Sequence, residues 1–136
     1  MEITKKQTFP RVCLFSCFSH GSNTGTLTGL AAQEVIKRLG SEVVGIGSMP
    51  ALLNQVPRQS EMIKNFKKII IIDGCHQSCA RELLAEVGIK PQVYLNLETD
   101  LGLIKKGPFT SLDFTEQEVK EVTEKIISLI KDLEKD

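Results

Sequence analysis

Residues 69–84 read IIIIDGCHQSCARELL, and the four isoleucines in front of Asp73 decide the fold. A strand with one wet face alternates apolar and polar side chains. An unbroken apolar run is buried on both faces, as happens in a parallel sheet covered by helices. With its flanking lysine this strand reads KIIIID (68 to 73), and three more runs of strand length occur at RVCLF (11 to 15), EVVGIG (42 to 47) and QVYLNL (92 to 97). Between them the apolar period lengthens. Leu27, Leu30, Ala31, Val35 and Leu39 recur at three- and four-residue steps and stop at Gly40, a suitable residue for a helix end.

The segment from 50 to 67 is less regular, with Pro57 interrupting it, and is expected to hold a short helical piece after Arg58 that turns Met62, Ile63 and Phe66 inward. Cys79 to Val87 reads as a helix stopped by Gly88 and Pro91, its inner face formed by Leu83, Leu84 and Val87. The last helix, about 115–134, opens on a capping box, Thr115 with Glu118, and carries the stripe Val119, Val122, Ile126, Ile130 and Leu133. Strands alternating with helices predict an α/β fold: a three-layer α/β/α arrangement with a four-stranded parallel sheet in the Rossmann-like, doubly wound order 2-1-3-4. Ligands of such sheets bind beyond the carboxyl ends of the strands where the winding reverses, here between the first and third strands.

Composition narrows the function. The chain has 136 residues, 41% hydrophobic and 25% charged, as expected of one domain spanning 1–136. Seventeen basic residues balance seventeen acidic ones, so no overall field favours nucleic acid or an anionic membrane as partner. No apolar run is long enough to cross a bilayer, and the opening MEITKKQTFP lacks an apolar core of the signal-peptide kind. The reading is of a cytoplasmic chain, a reducing setting in which its four cysteines are expected to be buried, metal-bound or catalytic, not a disulfide framework.

Cys17 follows the first strand, and Cys75 and Cys79 follow the third, so the expected strand order brings all three to one crevice. Side chains four apart on a regular helix have Cβ atoms ~5–6 Å apart, too far for an unstrained disulfide. Two thiolates on one zinc need sulfurs only about 3.8 Å apart, which rotamer choice can supply. Zinc therefore fits Cys75 and Cys79 better than a disulfide does. Helix N-termini after Gly25 and after Cys75 would offset the charge of the thiolates.

Cys13 is a further metal-ligand candidate, but an extended chain would hold it roughly 13 Å from Cys17. Either the first strand ends near Phe15 and the chain turns back, or Cys13 is a core residue and the fourth position belongs to His20, His76 or water. Asp73 is expected to cap the turn at Gly74, with a supporting place beside the metal as the alternative.

Asp73-Gly74-Cys75 followed by Cys79-Ala80 behind an isoleucine-rich strand resembles the DGC-domain family, and the stretch from Cys17 through FSHGSNTG to TLTGLAA is similar to that family's cysteine and glycine segment. The resemblance covers about residues 11 to 105. It implies an α/β domain that binds zinc through cysteines, with no reaction attached, and it carries over to Cys17, Cys75 and Cys79. The family's cysteine after the second strand has no counterpart here, where Val44, Gly45, Ile46 and Gly47 stand; Cys13 would have to replace it in a four-cysteine site.

The glycine-rich stretch SHGSNTGT (19 to 26) could seat a small anionic ligand at the start of the first helix, or be a plain turn capped by Asn23 or Thr24. It matches neither phosphate-loop pattern. Phosphatase chemistry of the C-x5-R type lacks its arginine, since Asn23 stands six residues after Cys17 and Ser19 six after Cys13. A thiol/disulfide redox protein and a metal-dependent regulatory or interaction module remain as alternatives. Asp100, Lys105 and Lys106, beyond the fourth strand, are expected near the rim of the crevice or in a solvated loop.

Overall fold

The computed structural model describes residues 9–135; the expectations for residues 1 to 8 lie outside them. Four strands, β1 (Val12–Ser16), β2 (Val44–Ile46), β3 (Ile69–Asp73) and β4 (Val93–Asn96), form one parallel sheet in the order β2-β1-β3-β4. This is the doubly wound order expected from the sequence. Six helices accompany the strands: α1 (Asn23–Leu39), α2 (Met49–Leu53), α3 (Pro57–Ile63), α4 (Cys79–Glu86), α5 (Leu97–Leu101) and α6 (Glu116–Glu134).

The pleat divides the core in two. Val12, Leu14, Ile70 and Ile72 point to one face, where they pack with Leu27, Ala31 and Val35 of α1 and Val122, Ile126 and Ile130 of α6. Cys13, Phe15, Ile69 and Ile71 point to the other, against Leu52 of α2, Ile63 of α3, and Ala80 and Leu84 of α4. All five residues of β3 are buried, which is the physical content of the unbroken isoleucine run. Each large side chain so enclosed contributes about 1.5–3 kcal/mol.

Two helix ends match their sequence signals. Thr115 and Glu118 form the reciprocal capping box of α6, and Gly40 closes α1 with a positive φ of 93°. Three local expectations are corrected. The middle segment does break before Pro57, but Pro57 itself starts α3 instead of standing outside it, because proline suits a first helical turn whose amide has no partner anyway. Leu83 of α4 is 45% exposed and stands at a cavity mouth, not on the inner face, since Ala80, Leu84 and Val87 already fill the contact with the sheet. The cap of α1 is Ser22, whose hydroxyl accepts the Gly25 amide, and not Asn23 or Thr24.

The register between β1 and β3 sets up the site. Ser16 pairs with Ile72, and the Cys17 amide donates to the Ile72 carbonyl at 3.0 Å. The two strands thus end side by side, and the segments following them leave at one edge.

Candidate functional site

At that edge lies a cavity of about 260 Å³ whose wall includes Cys17, Cys75, Cys79, Thr24, Asp73 and Lys105. Residues some sixty positions apart in sequence meet there because β1 and β3 are neighbours.

Cys17 is held by the start of α1. Phe18 turns the chain through a positive φ of 33°, and its amide donates to Thr28 Oγ1 at 3.0 Å. The same hydroxyl donates to the Gly25 carbonyl at 2.7 Å and lies 3.6 Å from Cys17 Sγ. Burial pushes the Cys17 thiol above its ordinary value, while the Ser19 amide, Thr28 hydroxyl and Gly74 amide pull it back. Gly25 and Gly74 permit the close approach: a Cβ on Gly25 would meet the Ser19 carbonyl oxygen at 1.8 Å, and one on Gly74 would meet the Thr24 carbonyl carbon at 2.8 Å.

Cys75 and Cys79 do not share a helix. Cys75 lies in the turn after β3, and α4 begins only at Cys79, so the spacing of a regular helix does not govern the pair. Ser78 closes that turn in a left-handed conformation, φ 56°, its amide donating to the Cys75 carbonyl at 3.1 Å. Cys75 is half-buried and Cys79 exposed.

Asp73 caps α4 instead of the turn at Gly74. Its two carboxylate oxygens accept the Ala80 amide at 2.8 Å and the Arg81 amide at 3.1 Å, and Tyr94 donates its hydroxyl to it at 2.9 Å. A carboxylate at a helix N-terminus answers both the free amides and the helix dipole. Arg81 in turn stacks over the Tyr94 ring, 4.3 Å from its centre.

Of the other expected residues, Lys105 joins the cavity wall with Nζ 3.9 Å from Cys75 Sγ. Lys106 pairs with Asp113 outside it, and Asp100 accepts the Asn96 amide. His20 contacts the Phe18 carbonyl and ring, and His76 is held by Glu98; neither is part of the cavity wall. Cys13 is 4% exposed in the apolar cluster under α2 and α4 and is likewise absent from the wall. Of the two alternatives the sequence left for Cys13, the core position is the one observed: β1 stays extended through Ser16 and keeps the two cysteines apart.

Sequence reasoning missed Glu98 and Thr28. Glu98 accepts the His76 amide at 2.9 Å and its ring Nδ1 at 2.6 Å, and the Lys105 amide at 3.4 Å, which ties the Cys75 turn to the Lys105 loop. The His76 amide, then its ring, hold the Glu98 carboxyl below its ordinary value. No local signal marks Glu98. Thr28 stands one helical turn after Thr24, and that polar pair on α1 was a legible sign that this face looks onto something other than core.

Three thiols suit zinc, which favours soft sulfur donors. Their grouping is looser than a finished site: among the described residues, no three His, Cys, Asp or Glu side chains stand close enough together to hold an ion. Cys79 is exposed and Cys75 lies in a turn, whereas Cys17, half-buried like Cys75, is pinned by Thr28, so closure on a metal would fall to the Cys75 and Cys79 pair. No helix among the described residues is long and apolar enough to cross a membrane.

No curated protein and no solved structure matches the chain. The DGC domain matches residues 13–126, from the first strand into the last helix. With the DGC tripeptide closing β3 at the cavity and the match running through sheet, crevice and most of α6, the chain belongs to the DGC domain family.

Proposed function

We propose that the protein binds one zinc ion through the thiolates of Cys17, Cys75 and Cys79. The observation that carries this reading is the convergence of three cysteines, from two distant segments, on one cavity at the switch point of the sheet. Zinc with three thiolates has a net negative charge. Lys105 beside Cys75 and the N-terminus of α1 behind Cys17 supply compensating positive potential. A bound zinc would clip the ends of β1 and β3 together and offer a Lewis-acidic centre.

This chain's own residues set the terms of binding. Thr28 and the turn at Phe18 orient Cys17, Asp73 anchors the helix that bears Cys79, and Glu98 steadies the turn that bears Cys75. The thiols must lose their protons to ligate, so uptake of the ion releases protons and weakens as pH falls.

Metal content by mass spectrometry tests the reading. Wild-type protein is expected to carry about one zinc per chain, and Cys75→Ser and Cys17→Ser to lose it. Metal-free protein with a titratable disulfide would instead support a thiol redox protein, and iron with inorganic sulfide a cluster. Either result would sink the zinc reading.

A further inference from the structure

Among the described residues, one buried side-chain oxygen or nitrogen has no hydrogen-bond partner: Thr24 Oγ1. Thr24 is 1% exposed, sits in the first turn of α1, and forms part of the cysteine cavity's wall. Buried polar groups are ordinarily paired, so an orphan on a cavity wall points to a partner that comes from outside the chain.

The surroundings say what charge that partner bears. The first turn of α1 contains no acidic residue, Ser22 answers only the Gly25 amide, and the Asn23 amide is turned to Thr110. The start of α4, the other helix end at the cavity, is already answered by Asp73. The carboxylate of Asp73, although on the same wall, is occupied by two amides and the Tyr94 hydroxyl. Lys106 spends its charge on Asp113, whereas Lys105, on the wall, has no carboxylate partner among the described residues. With Thr26 bonded to the Ser22 carbonyl, the amide left at the start of α1 is that of Thr24; it, the orphan hydroxyl of the same residue and an ammonium group therefore border one space. All three favour negative charge with oxygen acceptors.

We propose that the cavity receives a small oxyanion of the phosphate or sulfate class, seated on the N-terminus of α1, with Thr24 Oγ1 donating a hydrogen bond and Lys105 supplying charge. This goes beyond the zinc reading: Lys105 and the N-terminus of α1 serve both, but the oxyanion needs the Thr24 hydroxyl and none of the three thiolates, so the two can be tested apart.

The test uses the full chain, prepared metal-free, with inorganic phosphate as the probe, followed by amide chemical shifts and thermal midpoint. Phosphate is expected to move the amide signals of residues 22 to 25 saturably and to raise the midpoint with concentration. Thr24→Val keeps the side-chain shape and removes the hydroxyl. Without phosphate it is at least as stable as wild type, because the lost oxygen had no partner, while its phosphate affinity falls about tenfold. Lys105→Gln weakens binding and flattens its salt dependence, and Lys106→Gln leaves both unchanged. Cys17→Ser, which removes a zinc ligand, still binds phosphate.

Phosphate that leaves residues 22 to 25 unmoved, binds Thr24→Val as tightly as wild type, or binds only after zinc is added overturns the inference and leaves the zinc reading intact. Phosphate binding by a protein that takes up no zinc supports the inference and sinks the zinc reading alone. A phosphomonoester that binds more tightly than inorganic phosphate supports an esterified ligand; the reverse order supports the free ion.

Discussion

Cys13 and Cys17 carry the same thiol four positions apart, yet their surroundings give them different chemistry. Cys13 is enclosed by Phe15, Ile71 and the α2 layer, and burial pushes its thiol from the ordinary 9.0 up to about 12, the Gly47 amide pulling weakly the other way. Its neutral form is the one the fold accommodates. The unfolded chain therefore loses this proton first, and the stability Cys13 contributes is whole below pH 9.0 and fades between there and about 12. Cys13→Ala is expected to keep its zinc and to cost about 1 kcal/mol at neutral pH, the scale of a small core void. The gap to wild type should narrow as pH rises above 9.0, as read from urea denaturation across that range. Alkylation of the native protein should label Cys79 before Cys75 and Cys17, and Cys13 only on unfolding, following their exposure. At this scale the sequence made Cys17, Cys75 and Cys79 legible by their places after strands. Glu98 was not, and the Thr24 and Thr28 pair showed only a polar face, because the partners of Thr28 and Glu98 lie 11 and 22 positions away and only packing pairs them.

The start of α4 shows how an element is positioned by a residue outside it. Ser78 stands at the cap position but makes no side-chain cap bond, and Asp73, at the end of the preceding strand, supplies both acceptors. Asp73→Ala would leave the Ala80 and Arg81 amides without acceptors in a mostly buried setting, while the Tyr94 hydroxyl keeps Ser78 Oγ at 2.9 Å. The expected cost is about 2–4 kcal/mol of stability, since each buried donor so stranded costs roughly 1–3 kcal/mol before relaxation. Zinc uptake should weaken too, because Cys79 rides on the released helix. Urea denaturation and zinc titration of the variant measure the two effects, and an unchanged midpoint would contradict the capping role. A distant cap of this kind leaves no mark on the local pattern. Sequence signals place caps within a few positions of the helix start, as they did correctly for α6.

Over the whole molecule, the site occupies one edge while much of the stabilising apolar contact lies elsewhere. Val122, Ile126 and Ile130 of α6 pack with α1 and the sheet, and the far end of α6 is tied to the starts of β1 and β3 through Glu134, which bonds Arg11 and Lys68. Ile126→Ala, at a fully buried position, should cost about 2–5 kcal/mol in denaturant titration and leave zinc stoichiometry unchanged in the folded protein. Loss of zinc at full folding would show the site to be coupled to this layer. What the sequence determined by itself was the architecture: an unbroken isoleucine strand demands cover on both faces, and alternating strand and helix periods with right-handed crossovers leave few sheet orders open. Only the tertiary structure decided that Cys13 belongs to the core, apart from the three thiols already expected at one crevice, that Asp73 serves α4, and that Thr24 is left unpaired there. Periodicity reports which face of an element is buried, but what that face meets depends on contacts between residues far apart along the chain, and these exist only once the sheet has closed its register.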